Sequence, residues 1–115
     1  MSFEDLMKSL KAEYIASLPE KIITIRQQVA TNSAAQLKDS FHKLKGTGST
    51  YGLHEVTELA AVVEAICHVA PQHAQVAASE AALILQDIYV AHQQGQAFPV
   101  ERDARFQMIQ KLLPN

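Results

Sequence analysis

The stretch "LKDSFHKLKGTGSTYGL", residues 37–53, has the apolar spacing of a helix although it contains three glycines. At 100° per residue, five of its positions fall within about 80° of one another. These positions are Leu37, Phe41, Leu44, Gly48 and Tyr51. The spacing predicts one helix that begins at Asn32 or Ser33 and continues through Gly46. The alternative is that Gly46 ends the helix as a C-terminal cap.

The rest of the chain also repeats apolar residues every three or four positions, and no stretch sustains the alternation of a strand. The predicted helices are Ser2 to about Ser17, Leu18–Pro19 to near Asn32, the glycine-containing helix, 53–69, 72–94 and a short last helix over 102–113. Short connections make successive long helices antiparallel. We therefore predict an all-α fold, an up-and-down four-helix bundle, in a single domain over residues 1–115.

The glycines do not fit a nucleotide-binding loop. A Walker loop requires G-x-x-x-x-G-K-[ST], and a dinucleotide-binding turn requires G-x-G-x-x-G after a strand. Here the spacing is G-x-G-x-x-x-G, no lysine follows Gly52, and the preceding residues have helical periodicity. We expect no nucleotide site in this stretch.

The overall charge argues against nucleic acid as a partner. Ten Lys and Arg residues and twelve Asp and Glu residues give a net charge of −2, so the basic surface that binds phosphates is missing. A helix-turn-helix over residues 33–68 is a further alternative. Its second helix, however, carries Glu55, Glu58 and Glu64, which would repel the DNA backbone.

The sequence also predicts a cytoplasmic protein that does not enter a membrane. No apolar run approaches the roughly 18 residues of a membrane span, and the start, MSFEDLMKSL, is acidic where a signal peptide is basic. Cys67 is the single cysteine, which excludes an internal disulfide. Its place among the apolar positions of helix 53–69 predicts a buried, unreactive thiol.

His42 points away from the apolar side of its helix. Lys38, Lys45, Gly46 and Ser49 lie within about 60° of it on the same helix. A neutral, exposed imidazole can act as a nucleophile, and a neighbouring ammonium group can stabilise the charge of an incoming phosphoryl group. The residues therefore predict a phosphoryl-accepting histidine, and the alternative is an ordinary surface histidine.

The residues around His42 also form a recognisable motif. In chain order, His42, Leu44, Lys45, Gly46, Ser49 and Gly52 give H-x-L-K-G-x-x-S-x-x-G. This pattern closely resembles the signature of the histidine-containing phosphotransfer (HPt) domains of multistep phosphorelays. The likeness extends to "EYIASLPEKI", residues 13–22, and "LHEVTELAAVVEAI", residues 53–66, so it covers nearly the whole chain. Thr47 departs slightly, because smaller residues are usual at its position.

The resemblance implies a four-helix bundle with one or two accessory N-terminal helices. It implies that His42 accepts a phosphoryl group from a receiver-domain aspartate of a hybrid sensor kinase and passes it to the aspartate of a response regulator. Lys45 would hold the phosphoryl oxygens, and Lys38 is a weaker candidate for the same role. Gly46 would give the receiver clearance, and Ser49 would orient the ring or contact phosphate.

The resemblance also determines which cofactors and partners we expect. The Mg²⁺ of such reactions belongs to the receiver, and the chain would be a phosphohistidine carrier without an ATP site, not an enzyme. We expect no cofactor and no metal ion, because "HEVTE", residues 54–58, lacks the last histidine of the zinc motif H-E-x-x-H. The expected partners of this monomer are the two receiver domains. The rival interpretation is a helical adaptor that binds a receiver without phosphotransfer.

Overall fold

The computed structural model of the chain describes residues 2–114, which form five α-helices and no strand. The α-helices are α1 (Phe3–Ala30), α2 (Ala34–Thr50), α3 (His54–Val69), α4 (Ala74–Gln93) and α5 (Ala104–Gln110), with 3₁₀ turns at Pro71–His73 and Val100–Arg102. The predicted all-α class is confirmed. None of the described helices combines the length and apolar character needed to cross a bilayer.

Helix α1 is longer than predicted because it continues through Pro19. A proline inside a helix removes one backbone hydrogen bond and costs about 3 kcal/mol. Each fully buried aliphatic side chain contributes about 1.5–3 kcal/mol, and one face of α1 buries five side chains on both sides of Pro19. They are Tyr14, Ile15, Leu18, Ile22 and Ile25. The predicted boundary at Leu18–Pro19 is therefore wrong, and the two expected N-terminal helices are one.

The first two helices begin at polar caps. The side chain of Ser2 accepts a hydrogen bond from the backbone N–H of Asp5, and the carboxylate of Asp5 accepts one from the N–H of Ser2. The two hydrogen bonds form a capping box, which satisfies backbone N–H groups at the start of α1. Helix α2 is capped by Ser33, whose hydroxyl accepts a hydrogen bond from the N–H of Gln36. The structure therefore selects Ser33 over Asn32 as the cap.

Helices α1 to α4 bury their apolar faces in one core. Helices α1 and α2 run antiparallel, because Tyr14 contacts Thr47 while Gln28 contacts Ser40. Helices α3 and α4 are also antiparallel, because Glu55 at the start of α3 reaches the end of α4. Helix α1 alone would span about 42 Å at 1.5 Å per residue, close to the longest dimension of the molecule, 48 Å.

Helix α2 passes through Gly46 and Gly48, as the apolar spacing predicts. Its buried positions are Leu37, Phe41, Leu44 and Gly48. A Cβ atom at Gly48 would lie 2.6 Å from Oγ1 of Thr57 on α3, whereas a Cβ atom at Gly46 would have no neighbour within 4 Å. Gly48 therefore allows α2 and α3 to approach closely, and Gly46 leaves open space at the surface.

Alanine is expected to have opposite effects on stability at these two glycines. Gly46→Ala should raise the free energy of unfolding by about 0.5–1 kcal/mol, because alanine favours the helix and the position is open. Gly48→Ala should lower it by about 1–3 kcal/mol through overpacking. Thr57 cannot turn away freely, since its hydroxyl donates to the carbonyl of Lys45. Urea unfolding measures both values, and wild-type stability in Gly48→Ala would contradict the close approach.

Candidate functional site

His42 lies in the middle of α2 with 67% of its side chain exposed. Its Nδ1 lies 2.8 Å from Oε2 of Glu64 on α3. A carboxylate can only accept hydrogen bonds, so Nδ1 carries the proton and donates it to Glu64. In the neutral ring the other nitrogen, Nε2, then keeps its lone pair. The ring therefore has one nitrogen held by the protein and one free to react.

The carboxylate of Glu64 is shared between two side chains of α2. Its Oε1 accepts a hydrogen bond from Nζ of Lys45 at 2.8 Å, and its Oε2 accepts the one from His42. Partial burial raises the pKa of Glu64, but the hydrogen bonds from Lys45 and His42 outweigh this effect and lower the pKa below its ordinary value. Glu64 is therefore ionised at neutral pH and holds both groups against α3.

The close packing of α2 and α3 brings Glu64 within reach of His42. Thr57 lies against Gly48 and donates a hydrogen bond to the backbone of α2. Glu64 follows Thr57 by seven residues, which is about two helical turns, so the two side chains lie on the same face of α3. The small residue at position 48 thus lets the helix that carries Glu64 lie close to the helix that carries His42.

A second cross-helix pair lies one turn before His42. Nζ of Lys38 lies 3.0 Å from Nδ1 of His68 on α3. An ammonium group can only donate, so Nδ1 of His68 accepts, and the proton of its neutral ring is on Nε2. Nδ1 therefore donates a hydrogen bond in His42 and accepts one in His68. Of the two, His42 is the one with an unprotonated Nε2.

The five predicted site residues all lie on α2, and their surroundings differ. Lys45 and Lys38 are each held by a side chain of α3 instead of being free in solvent. Gly46 is exposed one turn after His42, with open space around it. Ser49 is also exposed, and its hydroxyl makes no hydrogen bond with the residues that the structure describes. The ring of His42 is thus flanked by two lysines and one open position.

Glu64 is the residue of the site that the sequence analysis missed. It entered that analysis as one acidic residue of a helix unsuited to DNA. A signal was available, because Glu64 directly follows Val63 at the border of the apolar positions of α3, where side chains reach the neighbouring helix. The signal was ambiguous without knowing which face of α2 packs against α3.

The sequence contains two other candidates for a reactive group, the thiol of Cys67 and a metal site. Cys67 is buried, as predicted, and burial raises the pKa of its thiol to about 11, so the reactive thiolate is scarce at neutral pH. Within residues 2–114, no group of three or more His, Cys, Asp or Glu side chains could hold a metal ion. The chemistry of this face therefore centres on His42.

The family comparison agrees with this geometry. The family model described as "Hpt domain" matches residues 9–95, a range that contains His42, Glu64 and all of α2, α3 and α4. No curated protein and no solved structure matches the chain significantly. Because the match covers well over half of the chain, it confirms the resemblance seen in the sequence. The chain belongs to the Hpt domain family, whose members are the histidine-containing phosphotransfer domains of phosphorelays.

Proposed function

We propose that this chain carries a phosphoryl group between two receiver domains and that His42 is the acceptor. The observation that carries the proposal is the exposed ring whose Nδ1–H is held by Glu64. In the transfer, the lone pair of Nε2 attacks the phosphorus of a phosphoaspartate. A nitrogen–phosphorus bond forms, the bond to the aspartate oxygen breaks, and the aspartate leaves as a carboxylate.

Positive charge beside the ring supports the same step. Lys45 lies within one turn of His42 and can exchange an oxygen of Glu64 for a phosphoryl oxygen. Lys38 can supply a second ammonium group by leaving His68. Ser49 has a free hydroxyl on this face that can donate to a phosphoryl oxygen. On the side of this chain, the negative charge of the transition state would thus be neutralised mainly by lysine.

The shape of the face suits a protein partner. Gly46 has no side chain beside the ring, so a receiver can bring its aspartate close to Nε2. We assign the fold as an antiparallel up-and-down four-helix bundle that holds α2 rigid beneath the docking surface. The receiver would supply Mg²⁺, and the chain would need neither a cofactor nor an ATP site of its own. It would act in the cytoplasm as a monomer, without nucleic acid or membrane as partners.

Histidine replacement tests the acceptor directly. Receiver domains labelled with radioactive acetyl phosphate should transfer label to wild type and to His54→Gln, a control at an exposed histidine of α3. His42→Gln should take no label, because its amide has no nucleophilic ring nitrogen. Label on His42→Gln would contradict the assignment. If all variants bind the receiver and none takes label, the chain is an adaptor.

Bulk at Gly46 tests the docking face. Gly46→Phe should slow transfer at least tenfold while unfolding at about the same urea concentration as wild type, because its ring projects into solvent beside His42. Gln36→Phe is the matched control, exposed on α2 but about 120° around the helix from His42. Phosphotransfer reactions that are quenched at fixed times measure the transfer rates of both variants. Equal rates for both variants would place the receiver elsewhere.

A further inference from the structure

The proposed transfer leaves a proton on the ring of His42. When Nε2 bonds to phosphorus, the ring becomes an imidazolium ion whose proton sits on Nδ1, beside Glu64. If this proton stays, the ring later departs from phosphorus as neutral imidazole. If it is lost, the ring must depart as an imidazolate anion, which is a far poorer leaving group. The fate of one proton therefore decides how readily the phosphoryl group moves on.

We propose that Glu64 is a positioning residue that keeps the Nδ1 proton on the phosphorylated ring of His42 and so keeps the phosphoryl group transferable. The inference takes from the proposed function that His42 carries the phosphoryl group. In the onward step, a receiver aspartate oxygen bonds to phosphorus and the nitrogen–phosphorus bond breaks. The electron pair returns to Nε2, and the Nδ1–H···Glu64 hydrogen bond is as it was before the cycle.

The geometry gives Glu64 this role because its carboxylate is close and sheltered. It lies 2.8 Å from Nδ1, and its side chain is only 17% exposed although the ring itself is 67% exposed. A carboxylate in this position stabilises an imidazolium ion, as it does on Nδ1 of the histidine in serine hydrolases. Without the carboxylate, an exposed ring would lose its proton to water more readily.

The other charged groups around the ring do not replace Glu64. Helices α2 and α3 supply these groups: Lys38, Asp39 and Lys45 on α2, and Glu64 and His68 on α3. Lys38 and Lys45 disfavour a cationic ring by repulsion. Asp39 is engaged by Lys43 at 3.1 Å, and His68 accepts from Lys38. Glu64 is therefore the carboxylate positioned to hold the ring proton.

The test measures how the lifetime of phosphorylated His42 depends on pH. Phosphoramidate, a small phosphoryl donor to imidazole, loads the ring without any receiver, and ³¹P NMR follows hydrolysis between pH 5 and 9. The ³¹P signal that is present in wild type and absent from His42→Gln is assigned to phosphorylated His42. Hydrolysis should slow as pH rises, because deprotonated rings leave poorly. The midpoint is the pH at which the hydrolysis rate has fallen halfway between its acidic and basic limits. In Glu64→Gln this midpoint should fall by about one pH unit, as expected for the loss of one charge-assisted hydrogen bond.

The control is Glu58→Gln, the same chemical change at an exposed position about 120° around α3 from Glu64. It should keep the wild-type midpoint. Equal midpoints in wild type and Glu64→Gln would overturn the inference, as would an equal shift in Glu58→Gln or a His42 that phosphoramidate cannot load. The outcome is independent of the relay itself. A shifted midpoint with no transfer from any receiver would uphold the role of Glu64 and refute the proposed function.

Discussion

One carboxylate shared by two side chains organises the reactive face of this protein. Glu64 accepts a hydrogen bond from the ring of His42 on one oxygen and from the ammonium group of Lys45 on the other, each at 2.8 Å. The first bond determines which ring nitrogen is free. The second holds the ammonium group of Lys45 to the same carboxylate, within one turn of His42 on α2. Both depend on a constant distance between α2 and α3, so the packing of these helices is part of the chemistry.

Gly48 is a position that permits this close packing. A side chain there would collide with Thr57, whose hydroxyl is bonded to the backbone of α2. Gly46, two residues earlier, lies on open surface, where we propose that it gives a receiver access to His42. The two glycines within α2, Gly46 and Gly48, thus have different physical roles. One brings the carboxylate to the ring, and the other leaves room for a partner on the opposite side.

Properties of a single helix and the antiparallel order of neighbouring helices could be predicted from the sequence, but side-chain contacts between helices could not. The apolar spacing of α2 predicted its continuation through the glycines and the exposure of His42, because both follow from the helical period. Pro19 was predicted as a boundary, since the local cost of proline is visible in sequence while the burial of Leu18 and Ile22 that offsets it is tertiary. Glu64 was missed for the same reason.

The contact with Glu64 fixes the tautomer of His42 with the proton on Nδ1. Long-range ¹H–¹⁵N correlation spectra of the imidazole rings, recorded above the pH at which they titrate, report which nitrogen is protonated. We expect Nδ1 to be the protonated nitrogen of His42, opposite to His68. A spectrum in which His42 carries its proton on Nε2 would refute this role of Glu64, because the lone pair would then be on Nδ1, beside the carboxylate.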